Sequence, residues 1–165
     1  MKDNRPKEMT EQEVLTRLTA LCAAGEHSQQ EMVEKMVRWG VDEVTQAHAM
    51  EYLTSHRYVD DERFAHAFVS DKLEYNKWGP RKIDQGLWAK GICEDIRRKV
   101  LSEVDDERFV AVLEPLLQTK RRSTHAQSRY ELNGKLMRFA IGRGFTMEQI
   151  RLCLGDVDEN TPEEP

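Results

Sequence analysis

The pentapeptide Asp60-Asp61-Glu62-Arg63-Phe64 recurs without change as Asp105-Asp106-Glu107-Arg108-Phe109, and this repetition decides how the chain is divided. A second marker agrees with it. A glycine followed by an apolar residue stands between the second and third predicted helices of each set of three, at spacings of 51 and 53, in Trp39-Gly40-Val41, Lys90-Gly91-Ile92 and Arg143-Gly144-Phe145. Two independent markers with nearly the same period indicate tandem repeats. About ten positions after each glycine stands an apolar residue that we expect in the core: Met50, Leu101 and Leu154.

Hydrophobic periodicity predicts helix almost throughout. Apolar residues recur at spacings of three and four and strand-like alternation is nearly absent, so we expect nine helices and no sheet. Ser28 and Thr146 each begin a capping-box pattern, and Pro80 suits the first turn of a helix. Thr124 is the predicted start of a longer helix that ends near Gly142, and Gly40 is predicted to end the second helix in a left-handed conformation.

These markers predict an all-α protein made of three tandem three-helix repeats. A unit of about 50 residues buries little surface alone, so neighbouring units must cover one another and form an elongated, curved array. Such an array offers long surfaces rather than deep pockets, which suits binding better than catalysis. The predicted divisions are a flexible N-terminus (1–9), repeat 1 (10–58), repeat 2 (59–103), repeat 3 (104–155) and a disordered acidic tail (156–165).

Composition excludes several classes of protein. The 165 residues include 25 Lys+Arg and 30 Asp+Glu, and no apolar run approaches the roughly 20 residues of a membrane-spanning helix. The N-terminus shows no signal-peptide pattern. We therefore expect a cytoplasmic monomer without membrane contact. Its three cysteines, Cys22, Cys93 and Cys153, are expected to be reduced and mostly buried.

The net charge of −5 hides a gradient along the chain. Residues 1–60 carry −4 and residues 61–108 carry −1, whereas residues 109–155 carry +5 and residues 156–165 carry −5. A basic third repeat therefore precedes an acidic tail. We expect that tail to compete with outside partners for the basic surface.

The acidic pairs Asp60-Asp61 and Asp105-Asp106 invite a metal-binding or a catalytic interpretation, because adjacent carboxylates can hold a divalent cation. Helix capping explains them better, with Phe64 and Phe109 as inward anchors. The five histidines lack metal-ligand spacing and no phosphate-binding loop is present, so we expect no enzyme, metal or cofactor. The residues interpreted as structural are Asp60, Asp61, Arg63, Phe64, Trp78, Gly79, Pro80, Gly91, Asp105, Asp106, Phe109, Gly144 and Phe145.

The basic residues supply the functional signal. Cations in a first helical turn oppose the helix dipole, so Arg81 and Lys82 must be favoured by something other than helix stability. Either a solvated face or a partner contact accounts for them. The same alternatives hold in repeat 3, where the partner would be an acidic protein groove or a phosphate backbone. The candidate contact residues there are Lys120, Arg121, Arg122, Arg129, Lys135, Arg138, Arg143 and Arg151.

Four segments in order, Tyr52–Ala65 with "RYVDDERFA", Trp78–Ile83 with "WGPRKI", Lys90–Ile92 and Arg138–Ile150 with "RGF", closely resemble the RecX family of recombination regulators. The resemblance covers roughly residues 10–155. It implies tandem three-helix repeats that bind the RecA recombinase filament, lie along its groove and usually suppress its ATPase, strand-exchange and coprotease activities in DNA repair and the SOS response. Weak DNA contact through repeat 3 is a further expectation. The alternative is an all-α DNA-binding module that acts without RecA, against which the net charge of −5 argues.

Overall fold

A computed structural model describes residues 7–155, and every regular element in that range is a helix. The predicted all-α class with three helices in each of three tandem units is confirmed. We call the units module 1 (α1–α3), module 2 (α4–α6) and module 3 (α7–α9). The helices are α1 (Glu11–Ala24), α2 (Gln29–Arg38), α3 (Glu43–Ser55), α4 (Asp61–Glu74), α5 (Pro80–Ala89), α6 (Glu94–Ser102), α7 (Asp106–Ser123), α8 (Arg129–Gly142) and α9 (Met147–Leu154). The predicted acidic tail and most of the predicted flexible N-terminus lie outside the described residues.

Four of the predicted capping residues begin helices as expected. Ser28 and Thr146 form complete capping boxes, in which the hydroxyl accepts a backbone N–H and the third helical residue bonds back to the cap. The repeated acidic motif also caps: Asp60 accepts from the N–H of Arg63 at 3.0 Å, and Asp105 accepts from that of Arg108 at 3.2 Å. Residues 7–155 contain no group of three or more His, Cys, Asp or Glu side chains that could hold a metal ion. Capping is therefore the role that the geometry gives to these aspartates.

The predicted helix start at Thr124 is wrong. Thr124 caps the C-terminal end of α7, and its hydroxyl donates to the carbonyl of Lys120 instead of accepting from a following N–H. The next helix begins at Arg129, because Ser128 accepts from the N–H of Glu131 at 3.0 Å. The Thr124 hydroxyl thus bonds back to the preceding helix, and four residues separate Thr124 from the first residue of α8.

The three glycine turns adopt left-handed backbone conformations, with φ of 73° at Gly40, 78° at Gly91 and 92° at Gly144. This confirms the prediction made for Gly40 and extends it to the other two repeats. The predicted core residues Met50, Leu101 and Leu154 are partly buried and pack against the cores, and for the first two the fully buried position is one residue earlier. The residues at those earlier positions, Ala49 and Val100, are 0% and 1% exposed.

The modules are unequal in how they share hydrophobic cores. Module 1 has a core of its own, which includes Val14, Leu18, Met32, Met36 and Leu53. Modules 2 and 3 form one continuous core, to which Phe64 and Phe109 of the repeated motif both contribute. The described chain is therefore one small bundle joined to a larger, two-module unit.

The cysteine prediction is partly wrong. All three thiols are free, but Cys93 is exposed at the N-terminal end of α6, and Cys22 and Cys153 are half-buried. Among the described residues, each helix is too short or too polar to cross a bilayer.

Candidate functional site

Modules 2 and 3 meet through direct backbone contact. The N–H of Gly79 donates to the carbonyl of Arg143 at 2.8 Å, and the N–H of Arg81 donates to that of Gly144 at 2.9 Å. A Cβ on Gly79 would lie closer than 3.0 Å to the backbone of Gly144 and Phe145, and a Cβ on Gly144 would clash with Lys82. The two glycine motifs are thus two halves of one joint.

The Arg143 side chain extends this joint onto α8. Its Nη1 donates to the carbonyl of Asn76 at 2.8 Å, and its guanidinium carbon lies 5.4 Å from the centroid of the Phe139 ring. The Lys120 ammonium also lies over that ring, at 5.1 Å. The Phe139 ring therefore makes cation–π contacts with side chains from two separate parts of module 3.

On the other side of the joint, the Trp78 ring makes cation–π contacts with two further side chains. The ammonium of Lys72 lies 4.9 Å from its ring centroid and that of Lys82 lies 4.8 Å from it. These contacts explain why a lysine is tolerated in the first turn of α5, since the aromatic face offsets the unfavourable helix dipole. Arg81 is exposed, and its backbone rather than its side chain forms the joint.

An open groove of about 590 Å³ lies on module 3 beside Phe139. We call it the basic groove. Its lining residues are Lys120, Ser123, Thr124, His125, Lys135, Arg138 and Phe139.

The cations of the basic groove differ in how they are compensated. Lys135 is held by the carbonyl of His125 at 2.6 Å and by Glu131 at 3.1 Å. The pKa of Glu131 is lowered, first by the N–H of Gln127 and then by Lys135. Among residues 7–155, Lys120 and Arg138 have no carboxylate within 4.0 Å, so their charge is available to an anion.

The structure brings together some of the predicted contact residues and leaves others apart. Lys120, Lys135 and Arg138 line the groove, Arg143 joins it to the module junction, and Lys82 lies at the far side of that junction. The predicted residues that are exposed but do not line the groove are Arg121, Arg122, Arg129 and Arg151.

Sequence reasoning missed the aromatic and polar parts of this surface. Phe139, Lys72 and His125 were not among the predicted contact residues, although Phe139 lies between two cations that the ring organises. Phe139 directly follows Arg138, a predicted contact residue, and this position was the sequence feature that could have identified it. No sequence feature marked Lys72, because its contact with Trp78 crosses a loop.

Modules 1 and 2 use the same kind of joint. The hydroxyl of Ser28 donates to the carbonyl of Lys90 at 2.8 Å, in the position where Gly79 bonds to Arg143 in the next joint. The Gln30 amide donates to the carbonyl of Ala89 at 2.9 Å. In both joints a glycine turn of one module packs on the start of the second helix of the module before it.

A charged pair accompanies each joint. Arg63 bonds to Glu26 at 2.7 Å, and the equivalent Arg108 bonds to Glu74 at 2.8 Å. Each glutamate stands near the end of the first helix of the preceding module. We call this region, between the end of the first helix and the start of the second, the hairpin end of a module; the basic groove occupies the hairpin end of module 3.

The groove can bind anions but offers no catalytic arrangement among the described residues. Uncompensated ammonium and guanidinium groups, hydroxyls and an aromatic ring can hold carboxylates or phosphates. Neither a metal-ligand cluster nor a nucleophile activated by an adjacent base accompanies them in residues 7–155.

Comparisons with known proteins agree with this architecture. Residues 60–101 match the family model of the second RecX three-helix domain, and residues 106–154 match that of the third. The regulatory protein RecX of Lactobacillus johnsonii is 28% identical over 134 residues, which cover 81% of this chain and 49% of that protein. That of Geobacillus thermodenitrificans is 29% identical over 137 residues, which cover 83% and 51%. The chain spans about half the length of these relatives.

Solved structures support the fold. A crystal structure of RecX from Lactobacillus salivarius superposes with a TM-score of 0.81 at 18% identity, covering 90% of this chain and 96% of that one. A second crystal structure of regulatory protein RecX gives the same TM-score, covering 88% and 73%. At this identity the likeness concerns the fold.

Proposed function

Because this chain belongs to the RecX family of regulatory proteins, we propose that it binds the RecA recombinase filament along its groove and inhibits the ATPase, strand-exchange and coprotease activities of RecA. A regulatory role follows from the family. The partner, the mode of binding and the direction of the effect are the proposal, which places the protein in DNA repair and the SOS response. It involves no catalytic step and no cofactor, and one chain acts as a monomer in the cytoplasm.

The observation that carries the proposal is the basic surface that crosses the joint between modules 2 and 3. It runs from Lys72 and Lys82 at Trp78, through Arg143, to Lys120 and Arg138 at Phe139. A surface that extends over two modules suits a long macromolecular partner better than a small molecule. The joint keeps its two halves in register, since the modules are bonded backbone to backbone.

In this proposal the protein inhibits RecA by where it binds on the filament, and not by catalysing a reaction. A chain that spans adjacent RecA subunits would cover the space that a second DNA duplex needs for strand exchange. It would also oppose the subunit movements that accompany ATP turnover. Cations without carboxylate partners would supply the contact with acidic groups of the filament, and such contacts weaken with salt.

The test is the single-strand-dependent ATPase of RecA at substoichiometric amounts of this protein. We expect inhibition by the unaltered chain, and inhibition that needs at least several-fold more protein after the charge reversals Lys120→Glu or Arg138→Glu. Arg38→Glu, on the exposed face of α2 in module 1, is the matched control and should inhibit normally. Circular dichroism would check that each variant is folded.

Two outcomes would overturn the proposal. The first is an unchanged ATPase at every ratio of the two proteins. The second is tight binding to duplex DNA with a steep salt dependence and no dependence on RecA, which would favour the DNA-binding alternative. Reversals in the basic groove that leave inhibition intact would reject this surface as the contact site.

A further inference from the structure

The hairpin end of module 3 is more basic than its two counterparts and, unlike them, carries no glutamate. In modules 1 and 2 this region carries Glu26 and Glu74, each bonded to an arginine of the next module. In module 3 the last turn of α7 carries Lys120, Arg121 and Arg122, and the basic groove follows. Within residues 7–155 no further module covers it. In each of the two joints a carboxylate pairs with a cation of the neighbouring module. An occupant that complements this basic region therefore presents carboxylates.

The last helix directs the chain toward this hairpin end. Near the start of α9, the Gln149 amide donates to Asp106, the first residue of α7, at 2.9 Å. Near its end, Cys153 lies beside Glu114, whose charge adds to burial in raising the pKa of that thiol to about 11. These two contacts follow the same order along both helices, so the C-terminal end of α9 lies toward the middle of α7. Lys120 lies six residues beyond Glu114, about 9 Å farther along the helix axis.

The segment that follows α9 has the required chemistry and reach. Residues 156–165 contain five carboxylates and no cation, and they lie outside the described part of the chain. Ten extended residues span up to about 33 Å, several times the axial distance to Lys120. Because the segment is tethered, its effective concentration at the groove is on the order of millimolar, enough for weak contacts to be occupied.

We propose that residues 156–165 bind in the basic groove, with carboxylates on Lys120 and Arg138, and so form a built-in competitor for any other anionic partner of that groove. The docking itself depends only on this chain. Competition with RecA is the part that rests on the proposed function. Exposed charge pairs of this kind are screened by salt, so the segment is displaced when a partner offers more contacts.

The direct test compares backbone amide NMR spectra of the full chain and of a variant with a neutral segment, D156N/D158N/E159Q/E163Q/E164Q. At about 50 mM salt, where charge interactions reach more than 10 Å, we expect shift differences at residues 120–125 and 135–139. These differences should disappear near 0.5 M salt. Amides of module 1 should not change. Identical spectra of the groove residues at low salt would overturn the proposal.

Charge variants of the groove provide the control. In the K120E/R138E background, neutralising the segment should leave the groove amides unchanged, whereas in the R38E background it should shift them as in the unaltered chain. Equal shifts in both backgrounds would overturn the proposal. Shifts that grow with protein concentration would also overturn it, because they would assign the occupant to a second copy of the chain.

RecA assays then separate the two proposals. If both hold, the variant with the neutral segment inhibits the RecA ATPase at several-fold lower concentration than the unaltered chain. NMR shifts without any effect on RecA would reject the proposed function and leave the docking intact. Inhibition that is the same with or without the acidic charges would reject the competition.

Discussion

Gly79 and Gly144 touch through their backbones at the joint between modules 2 and 3, with no room for a side chain on either residue. The contact lies between the second helix of one module and the glycine turn of the next. Gly79 has a φ of −80°, which any residue can adopt, so the need for glycine comes from the neighbouring module rather than from local conformation. This relationship explains why two glycine motifs far apart in sequence both belong to the structural framework.

Gly79→Ala should therefore destabilise the protein by about 1–3 kcal/mol, because the added methyl group meets backbone that cannot yield without opening the joint. Urea unfolding followed by circular dichroism measures the free energy. Gly142→Ala is the control: its Cβ would meet open space at the end of α8, and it should be neutral or stabilise by about 0.5–1 kcal/mol. An equal effect of the two substitutions would contradict the close contact.

Ser28→Ala tests the joint between modules 1 and 2. Ser28 is fully buried, caps α2 and donates to the carbonyl of Lys90, so its loss should cost about 2 kcal/mol. Thr10→Ala removes a comparable capping box that lies on the exposed start of α1, and it should cost about 1 kcal/mol. If urea unfolding shows the larger loss for Thr10→Ala, the inter-module bond of Ser28 contributes nothing.

The pair Arg63 and Glu26 should contribute little to stability, despite its 2.7 Å separation. Both side chains are more than one-third exposed, and exposed pairs typically couple by about 0.2–1 kcal/mol. A double-mutant cycle with R63A and E26A should give a coupling energy in that range that shrinks at high salt. The cycle on Arg108 and Glu74 should behave alike. A salt-independent coupling of several kcal/mol would show that these charges hold the modules together.

Asp61 should make stability depend on pH. Burial raises the pKa of its carboxyl in the folded protein, so the native state holds the proton more tightly than the unfolded chain does. The free energy of unfolding should therefore fall as pH rises from the unfolded value of 3.8 through the folded pKa. Asp61→Asn removes this loss and can still accept from the N–H of Gln29, so its stability relative to the unaltered chain should improve as pH rises through the unfolded value of 3.8.

Asp42→Asn is the control for Asp61→Asn, because the pKa of Asp42 is shifted in the opposite direction. Hydrogen bonds from the N–H and the hydroxyl of Thr45 lower the pKa of Asp42, so this carboxylate stabilises the fold above the unfolded pKa and loses that effect as pH falls. The variant should lose stability relative to the unaltered chain as pH rises. Parallel pH profiles for the two variants would contradict the assigned shifts.

The three thiols should react at two very different rates. Cys93 is exposed, whereas burial raises the pKa of Cys22 and raises that of Cys153 to about 11, which leaves little thiolate near neutral pH. With Ellman's reagent at pH 8, one thiol should react at least tenfold faster than the other two. Cys93→Ser should remove the fast phase; its persistence would place the reactive thiol elsewhere.

The amino-acid sequence by itself determined the division into repeats and most of the helix ends. Capping by Asp60, Asp105, Ser28 and Thr146 depends on atoms within three residues of the cap, so the local pattern contains the necessary information. The left-handed turn at Gly40 is local in the same way. The wrong prediction at Thr124 has a local cause too. Thr124 and Ser128 are both hydroxyl residues that could cap α8, and only Ser128 accepts a hydrogen bond from a backbone N–H of that helix.

Tertiary structure alone decided which cations share a surface and what the joints look like. Lys72 and Lys82 meet at Trp78, and Lys120 and Arg143 meet at Phe139, only because folded helices bring these aromatic rings between them. Arg121 follows Lys120 directly yet does not line the basic groove, since adjacent residues on a helix point about 100° apart. The shared core of modules 2 and 3, and the contact of Gly79 with Gly144, likewise join residues far apart in the chain. Local sequence encodes where a helix starts, whereas contacts between distant residues depend on packing that no short pattern specifies.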